Sequence, residues 1–448
     1  MTIAAQAASA LGRATLIAFA AVLFGGWLGR SLAGLRGRPR TVAWALLFAP
    51  FVTPSLLISY SYSRLALALV SSPWKHHALY AVVLLLKLIP VATLVRVLMP
   101  SPLSPEARRC HELIARRTFL ARGMFLLRGV GTGPWFAGGL VFLLAFADFE
   151  LASLWSVKTW TVAIFDAQTG GLSLRESLCL AAWPLAIQVA VLALLARCVR
   201  ASRSSFAEGR KQGRAIFGYL AMVAFVVTLL PLALVTAQAA AGFRAVAENF
   251  VLTSEITASV LFAIAATVMA GGGIFRGARA FREGGTRMLP GVPGLLGSLI
   301  VALLVLAAFQ TPPLRPAYDT PLPLLLALVI ILLPLALLLG ALLRMRHRSP
   351  MRHIARQLGS RRLAWDLETQ PRLAAFGLLF CWAYFDFTAS SILAPTRFTP
   401  VFVRLHNLAH YGQTAVLSAM MLAAFLTPVA LLLLTAAAGR IYARRDGR

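Results

Sequence analysis

The sequence predicts an all-α, polytopic integral membrane protein of about 11 transmembrane helices, built as two parallel repeats related by a pseudo-two-fold along the membrane normal. Three observations predict it. The 448 residues are 59% hydrophobic and 13% charged, with a mean hydropathy of +0.79, whereas about 25% of residues are charged in soluble domains. The basic residues gather in every second linker between apolar stretches. Two lone aspartates, Asp148 and Asp386, sit 238 positions apart in matching phrases: Phe146-Ala147-Asp148-Phe149-Glu150-Leu151-Ala152-Ser153-Leu154 and Tyr384-Phe385-Asp386-Phe387-Thr388-Ala389-Ser390-Ser391-Ile392.

Hydropathy places the spans at about 15–33, 42–62, 78–98, 134–156, 177–196, 215–237, 255–274, 289–309, 323–343, 373–394 and 413–436, since roughly 20 apolar residues cross a bilayer as a helix. The first linker carries Arg30, Arg36, Arg38 and Arg40. The linkers 99–133, 197–214, 275–287 and 344–372 and the tail 437–448 are also basic, and these six segments hold roughly 32 of the 43 Lys and Arg residues. The positive-inside rule puts them in the cytoplasm, with the N-terminus outside and the C-terminus inside. A net charge of +28 would point to nucleic acid in a soluble chain; here it reads as topology, and no nucleic-acid partner is expected. The apolar start is not read as a cleaved signal, because its basic residues follow the run as a stop signal does.

Four cysteines (Cys110, Cys179, Cys198, Cys381) lack any ligand or CxxC spacing, and neither His76-His77 nor the set His406 and His410 has a carboxylate or thiol beside it. No disulfide, metal or cofactor is indicated. Nor is there a Walker motif, an Asp-rich loop or a His-x4-Asp motif, so no catalytic residue is assigned and any ATP hydrolysis belongs to another chain.

The 238-residue offset also carries Trp160-Thr161 onto Phe398-Thr399, while Pro54 pairs with Pro293 and Pro90 with Pro334. Span 4 maps onto span 10, so the repeat unit is six helices and both copies have one orientation, which excludes an inverted-repeat transporter. The expected organisation is a first half at 1–200 (spans 1–5), a linker with the extra span 6 at 201–254, and a second half at 255–448 (spans 7–11). The longest cytoplasmic linkers, 99–133 and 344–372, fall at equivalent places. Helix reversals need only about 2–8 residues, so these loops are expected to dock something inside the cell.

Within them, His353-Ile354-Ala355-Arg356-Gln357-Leu358-Gly359-Ser360 and Pro105-Glu106-Ala107-Arg108-Arg109-Cys110-His111-Glu112 resemble the cytoplasmic loop of the permease subunits of binding-protein-dependent ABC importers, of the fused two-half iron(III) and thiamine type. That family's loop reads Glu-Ala-Ala, three residues, then Gly. The second copy keeps Ala355, Arg356 and Gly359 but has His353 where Glu is expected. The first keeps Glu106 and Ala107, while Arg108 replaces the second Ala and Glu112 replaces the Gly. The resemblance extends to Leu289-Pro290-Gly291-Val292-Pro293-Gly294 and to Val403–Gly412. It implies coupling helices that dock two ABC ATPase subunits, an external solute-binding protein, a bacterial cytoplasmic (inner) membrane location, and an iron(III)-type solute, with thiamine, polyamines or phosphonates behind. The first loop would dock differently, because Glu112 permits neither close approach nor a turn as Gly does.

Ionisable residues inside a membrane default to functional roles. Lys87, Asp148 and Asp386 are the candidates for the translocation path; Arg96 is expected to snorkel to the interface. The aspartates either face each other across the pseudo-two-fold and offer carboxylates to a cationic or metal-bearing solute, or pair with Lys87 or Arg397 and fix helix packing. The paired prolines either bend helices for gating or only shape the bundle. Two rival functions stand beside the importer: an ion-gradient-driven secondary transporter of parallel-repeat design, and a membrane-embedded enzyme or assembly factor.

Overall fold

The computed structural model describes residues 3–35, 37–99, 131–200, 214–249, 252–280, 291–347, 365, 369–409 and 414–445. Among these the regular elements are all helical. They form two units, Met1–Pro231 and Leu232–Arg448.

In the first unit α1 (Ile3–Ala33) packs on α5 (Pro73–Leu98) and α6 (Gly133–Phe146). Its buried positions Ala7, Ala10, Ala14, Ala18, Ala21 and Gly25 repeat every three or four residues, a seam of small side chains of the kind that brings apolar helices close. At Gly25 the approach is backbone-close, since a Cβ would lie 2.8 Å from Ala92 Cβ and 2.9 Å from Thr93 N. α2 (Gly37–Val52) stops before Thr53, because Pro54 disfavours helical geometry in the residue ahead of it. The chain resumes as α3 (Ser55–Ser61) at 76° to α2, followed by α4 (Ser63–Leu69).

α6 is followed by a three-residue break, the short α7 (Glu150–Leu154), α8 (Trp160–Thr169) and α9 (Leu174–Arg200). The sixth expected span is α10 (Arg214–Ala224), a π turn (Phe225–Leu229) and α11 (Leu230–Asn249), with the unit boundary inside α11. Pro231 has no N–H to return to the preceding turn, and a π turn next to it is a physical response to that missing bond. Polar side chains meet the loosened carbonyls: Tyr62 donates to Val226 O and Ser61 Oγ donates to Pro231 O (3.1 Å), while the Thr53 and Thr228 hydroxyls lie 2.8 Å apart.

The second unit runs α12 (Leu252–Ala280), a 3-10 turn (Pro293–Leu296), α13 (Ser298–Phe309), a 3-10 turn (Arg315–Ala317), α14 (Leu322–His347), α15 (Gln370–Tyr384), a three-residue break, α16 (Thr388–Leu393), α17 (Val401–Ala409) and α18 (Thr414–Arg445). α12 packs along α14 and α15, and α13 packs on α14 and α16. α17 is tied to α12 by Val401 N–H donating to Ser259 Oγ (2.8 Å) and by Arg404 facing Glu255 at 3.6 Å.

Helices occupy all eleven expected places, but not all cross alike. Among the described residues eight are long and apolar enough to span a membrane, and the bent pair α2–α3 makes a ninth if counted as one span. The eighth expected span is shortened to α13, 12 residues long, because Pro293 and Gly294 take up a 3-10 turn packed against Pro334. The tenth is α15, 15 residues long, followed after a three-residue break by α16, whereas the fourth carries the same kind of break and still passes as one apolar stretch, Gly133–Leu154. Pro90 lies eight residues before the end of α5 and Pro334 thirteen before the end of α14.

Candidate functional site

Each aspartate of the Asp-Phe pair stands in a break between two helices, where backbone groups lose their helical partners and must find others inside a membrane. The two breaks are finished differently. In the first unit Asp148 Oδ2 accepts the Tyr80 hydroxyl (2.9 Å) and the backbone N–H of Ala152 (3.3 Å). Carbonyls freed by the break are also met, since Trp160 Nε1 donates to Phe146 O (2.9 Å) and Thr161 Oγ1 donates to Asp148 O (2.8 Å). Trp155 Nε1 donates to Ser59 O (3.0 Å), which holds α7 to α3. Trp160 and Thr161 are wholly buried.

Around this break gather ionisable side chains from α1 and α5, with a serine of α3 beside them. Arg13 of α1 places its guanidinium 5.6 Å from the Tyr80 ring centroid and donates from Nη1 to His77 Nδ1 (3.2 Å). Lys87 Nζ donates to Ser55 Oγ at the start of α3 and lies in electrostatic range of Glu150 and Asp148. His77, Tyr80, Leu84 and Lys87 are spaced three, four and three apart, so they form one stripe along α5. Beyond Lys87 the helix is apolar and largely buried, from Leu88 to Val95.

In the second unit Asp386 is buried, and its Oδ2 accepts the backbone N–H groups of Ala389 (3.0 Å) and Ser390 (3.2 Å), capping α16. Aromatic rings enclose that break. Tyr384, Phe385 and Phe402 stand edge to face with centroids 5.4–5.7 Å apart, and His406 stacks on Phe387 at 4.2 Å. Phe398, which the sequence offset pairs with buried Trp160, is 48% exposed in the loop before α17. The matched phrases therefore encode the same break but not the same closure.

Of the expected path residues, Lys87 and Asp148 are brought together. The partner closest in chemistry to Asp148 is Tyr80, not a cation. Arg397 acts on Asp319, whose carboxylate accepts the Thr396 N–H (2.9 Å) and the Thr396 hydroxyl (3.0 Å); those bonds first, and Arg397 beside them, hold Asp319 below the usual carboxylate range. The expected coupling residues Glu106, Ala107, Glu112, Ala355, Arg356 and Gly359 lie outside the described residues. Sequence reading missed Arg13, because a lone charge near the start fell before the first expected span, whereas α1 begins at Ile3. It also missed Ser55, His77 and Tyr80. The helical spacing of His77 and Tyr80 with Lys87 was the available signal.

No group of three His, Cys, Asp or Glu side chains is placed to hold a metal ion among the described residues. No family model, no curated protein and no solved structure matches the chain. Fold and composition together define an all-α polytopic membrane protein. Its first unit carries a cluster of ionisable side chains in the middle of apolar helices.

Proposed function

We propose that the chain is the permease subunit of an ATP-driven importer of the ABC class, in which two parallel halves form the path for a solute delivered by an external binding protein. The observation that carries this reading is one element order recurring within one chain. In the first unit the order is long α1, then α2 and α3 bent at Pro54, α4, long α5 with Pro90, α6 and α7 broken at Asp-Phe, short α8, long α9 and then α10. In the second it is long α12, a Pro293-led 3-10 turn with α13, long α14 with Pro334, α15 and α16 broken at Asp-Phe, short α17 and long α18. A duplicated half of this kind leaves a path between its copies, with a pseudo-two-fold along the membrane normal and about 11 crossings. The N-terminus lies outside and the C-terminus in the cytoplasm. Two ATPase subunits dock on 99–133 and 344–372, and their closure rocks the halves to expose the path alternately. The solute is iron(III)-type or a relative handled by the same kind of importer.

The test is a mild-detergent pull-down of the tagged chain, with a Gly359→Arg, Ala355→Asp double variant in parallel. An ABC ATPase that copurifies with the wild type and is lost in the variant sustains the reading. Absence of any ATPase from folded, monodisperse wild type overturns it. Ion-gradient-driven transport is the second reading, favoured by the ionisable stripe on α5; it requires uptake that collapses with an ionophore and persists without ATP.

A further inference from the structure

The two units are chemically unequal, and the inequality points to the charge of the solute. α14 has no ionisable side chain between Leu322 and Leu343, whereas α5 carries the stripe His77, Tyr80 and Lys87, with Arg13 of α1 against it. Within that cluster, donors outnumber the acceptors offered to them. Asp148 Oδ2 is already committed to Tyr80 and to the Ala152 N–H. Arg13 spends Nη1 on a histidine, and its Nη2 is buried without a hydrogen-bond partner. Lys87, half-buried, gives its ammonium to a neutral hydroxyl, that of Ser55. An ammonium has three donors and a guanidinium five, and buried donors left unmet are costly. His77 accepts from Arg13, so its Nδ1 carries no proton and it supplies no charge there. Asp148 acts on both cations and Glu150 on Lys87, offsetting their charge without occupying Nη2.

We infer that the face of α5 between Arg13 and Lys87 is a contact site for an oxyanion of the transported solute, a carboxylate or phosphate-type group, including the outer carboxylates of a metal chelate. This rests on reading the chain as a solute path and narrows its cargo: a bare cation would have to strip Asp148 from Tyr80 and Ala152, whereas an oxyanion fills donors that stand ready. Bidentate guanidinium geometry suits such a group. The stripe begins near the end of α5 that the charge pattern places outside and stops at mid-helix, ten residues and about 15 Å further on. An incoming anion is thus met in the outer half of the membrane.

The test reads charge selectivity directly and needs no knowledge of the solute. In a background with Cys110, Cys179, Cys198 and Cys381 replaced by Ser, single cysteines are placed at Ala81 and, in a second variant, at Leu85, half-buried positions of α5 that flank the stripe, since Leu84 and Ser55 are themselves buried. The full chain is held in nanodiscs of zwitterionic lipid, which leave both faces open. Modification rates are measured with anionic sulfonatoethyl and cationic trimethylammonioethyl methanethiosulfonate, each relative to a soluble thiol. The anionic reagent should be favoured several-fold, because Arg13 Nη2 and Lys87 offer unmet donors while Asp148 Oδ2 is committed to Tyr80 and Ala152. Arg13→Gln should bring the ratio close to one, and Arg13→Lys should retain most of it. A ratio of one or below at both cysteines, or no reaction at either, overturns the inference. Neither outcome depends on an ATPase, so failure of the importer reading is scored separately by the pull-down.

Discussion

Replacing Trp160 by Phe asks whether the break at Asp148 is held by a specific donor or merely by bulk. The ring is wholly buried and its Nε1 donates to Phe146 O at 2.9 Å. Phenylalanine keeps most of the apolar volume but leaves that carbonyl unmet, at about 1–3 kcal/mol for a buried unsatisfied group. The smaller ring leaves a cavity worth about 1 kcal/mol more. The expected loss is therefore about 2–4 kcal/mol, read as a shift in reversible unfolding by dodecyl sulfate in mixed micelles. The sequence-matched control is Phe398→Ala, where the ring is 48% exposed and the loss should stay within about 0.5 kcal/mol. Equal losses at the two positions, or a larger loss at Phe398, would refute the argument that the two breaks are closed by different means.

Further expectations follow from the same geometry. Asp386→Ala removes the acceptor of two backbone N–H groups and should cost about 1–3 kcal/mol; Asp386→Asn, whose amide oxygen still accepts, should cost distinctly less in the same titration. Gly25→Ala drives a methyl against Ala92 and the Thr93 backbone and should cost about 1–3 kcal/mol, whereas Gly12→Ala, with nothing within 4 Å, should be neutral or slightly stabilising in thermal melts. Because Asp319 is held below its ordinary value by Thr396, its contribution is present above the unfolded carboxylate range and is lost as the pH falls through the lower folded value. Protection of the Thr396 amide, its exchange rate taken relative to the intrinsic rate at each pH, should accordingly be unchanged from pH 7 to about 5 in the wild type and lower throughout in Asp319→Asn.

What one dimension could show was burial. The long helices follow from hydropathy, whereas the breaks at Asp148 and Asp386 fall inside stretches that hydropathy reads as continuous spans, 134–156 and 373–394. The closures were not legible, because Trp160 and Phe398 are both aromatic in aligned text while only one finds a carbonyl beneath it. α13 looked like a full span since leucine-rich composition does not reveal where Pro293 and Gly294 will stop a helix. Of the site, Lys87 and Asp148 were found as costly charges, but Tyr80 was not, since a tyrosine in an apolar helix carries no such penalty. Asp386 read as the twin of Asp148, yet its carboxylate is spent on the backbone of α16. Which groups meet across helices depends on packing, and periodicity records only which face turns inward.

Arg13 also bears on the order in which the molecule comes into being. Its hydrogen-bond partner His77 lies 64 residues further along the chain, and Asp148, whose charge it feels, comes later still. When α1 first enters the bilayer, neither exists. A lone arginine in an apolar stretch opposes insertion, by up to about 2.5–3.5 kcal/mol at the bilayer centre and less towards the interface, so α1 is expected to seat fully only when α5 emerges beside it. α1, made before α5 and the Asp148 break, is in this sense seated only after them, and a chain ended before Pro73 would leave it without the groups that let it stay.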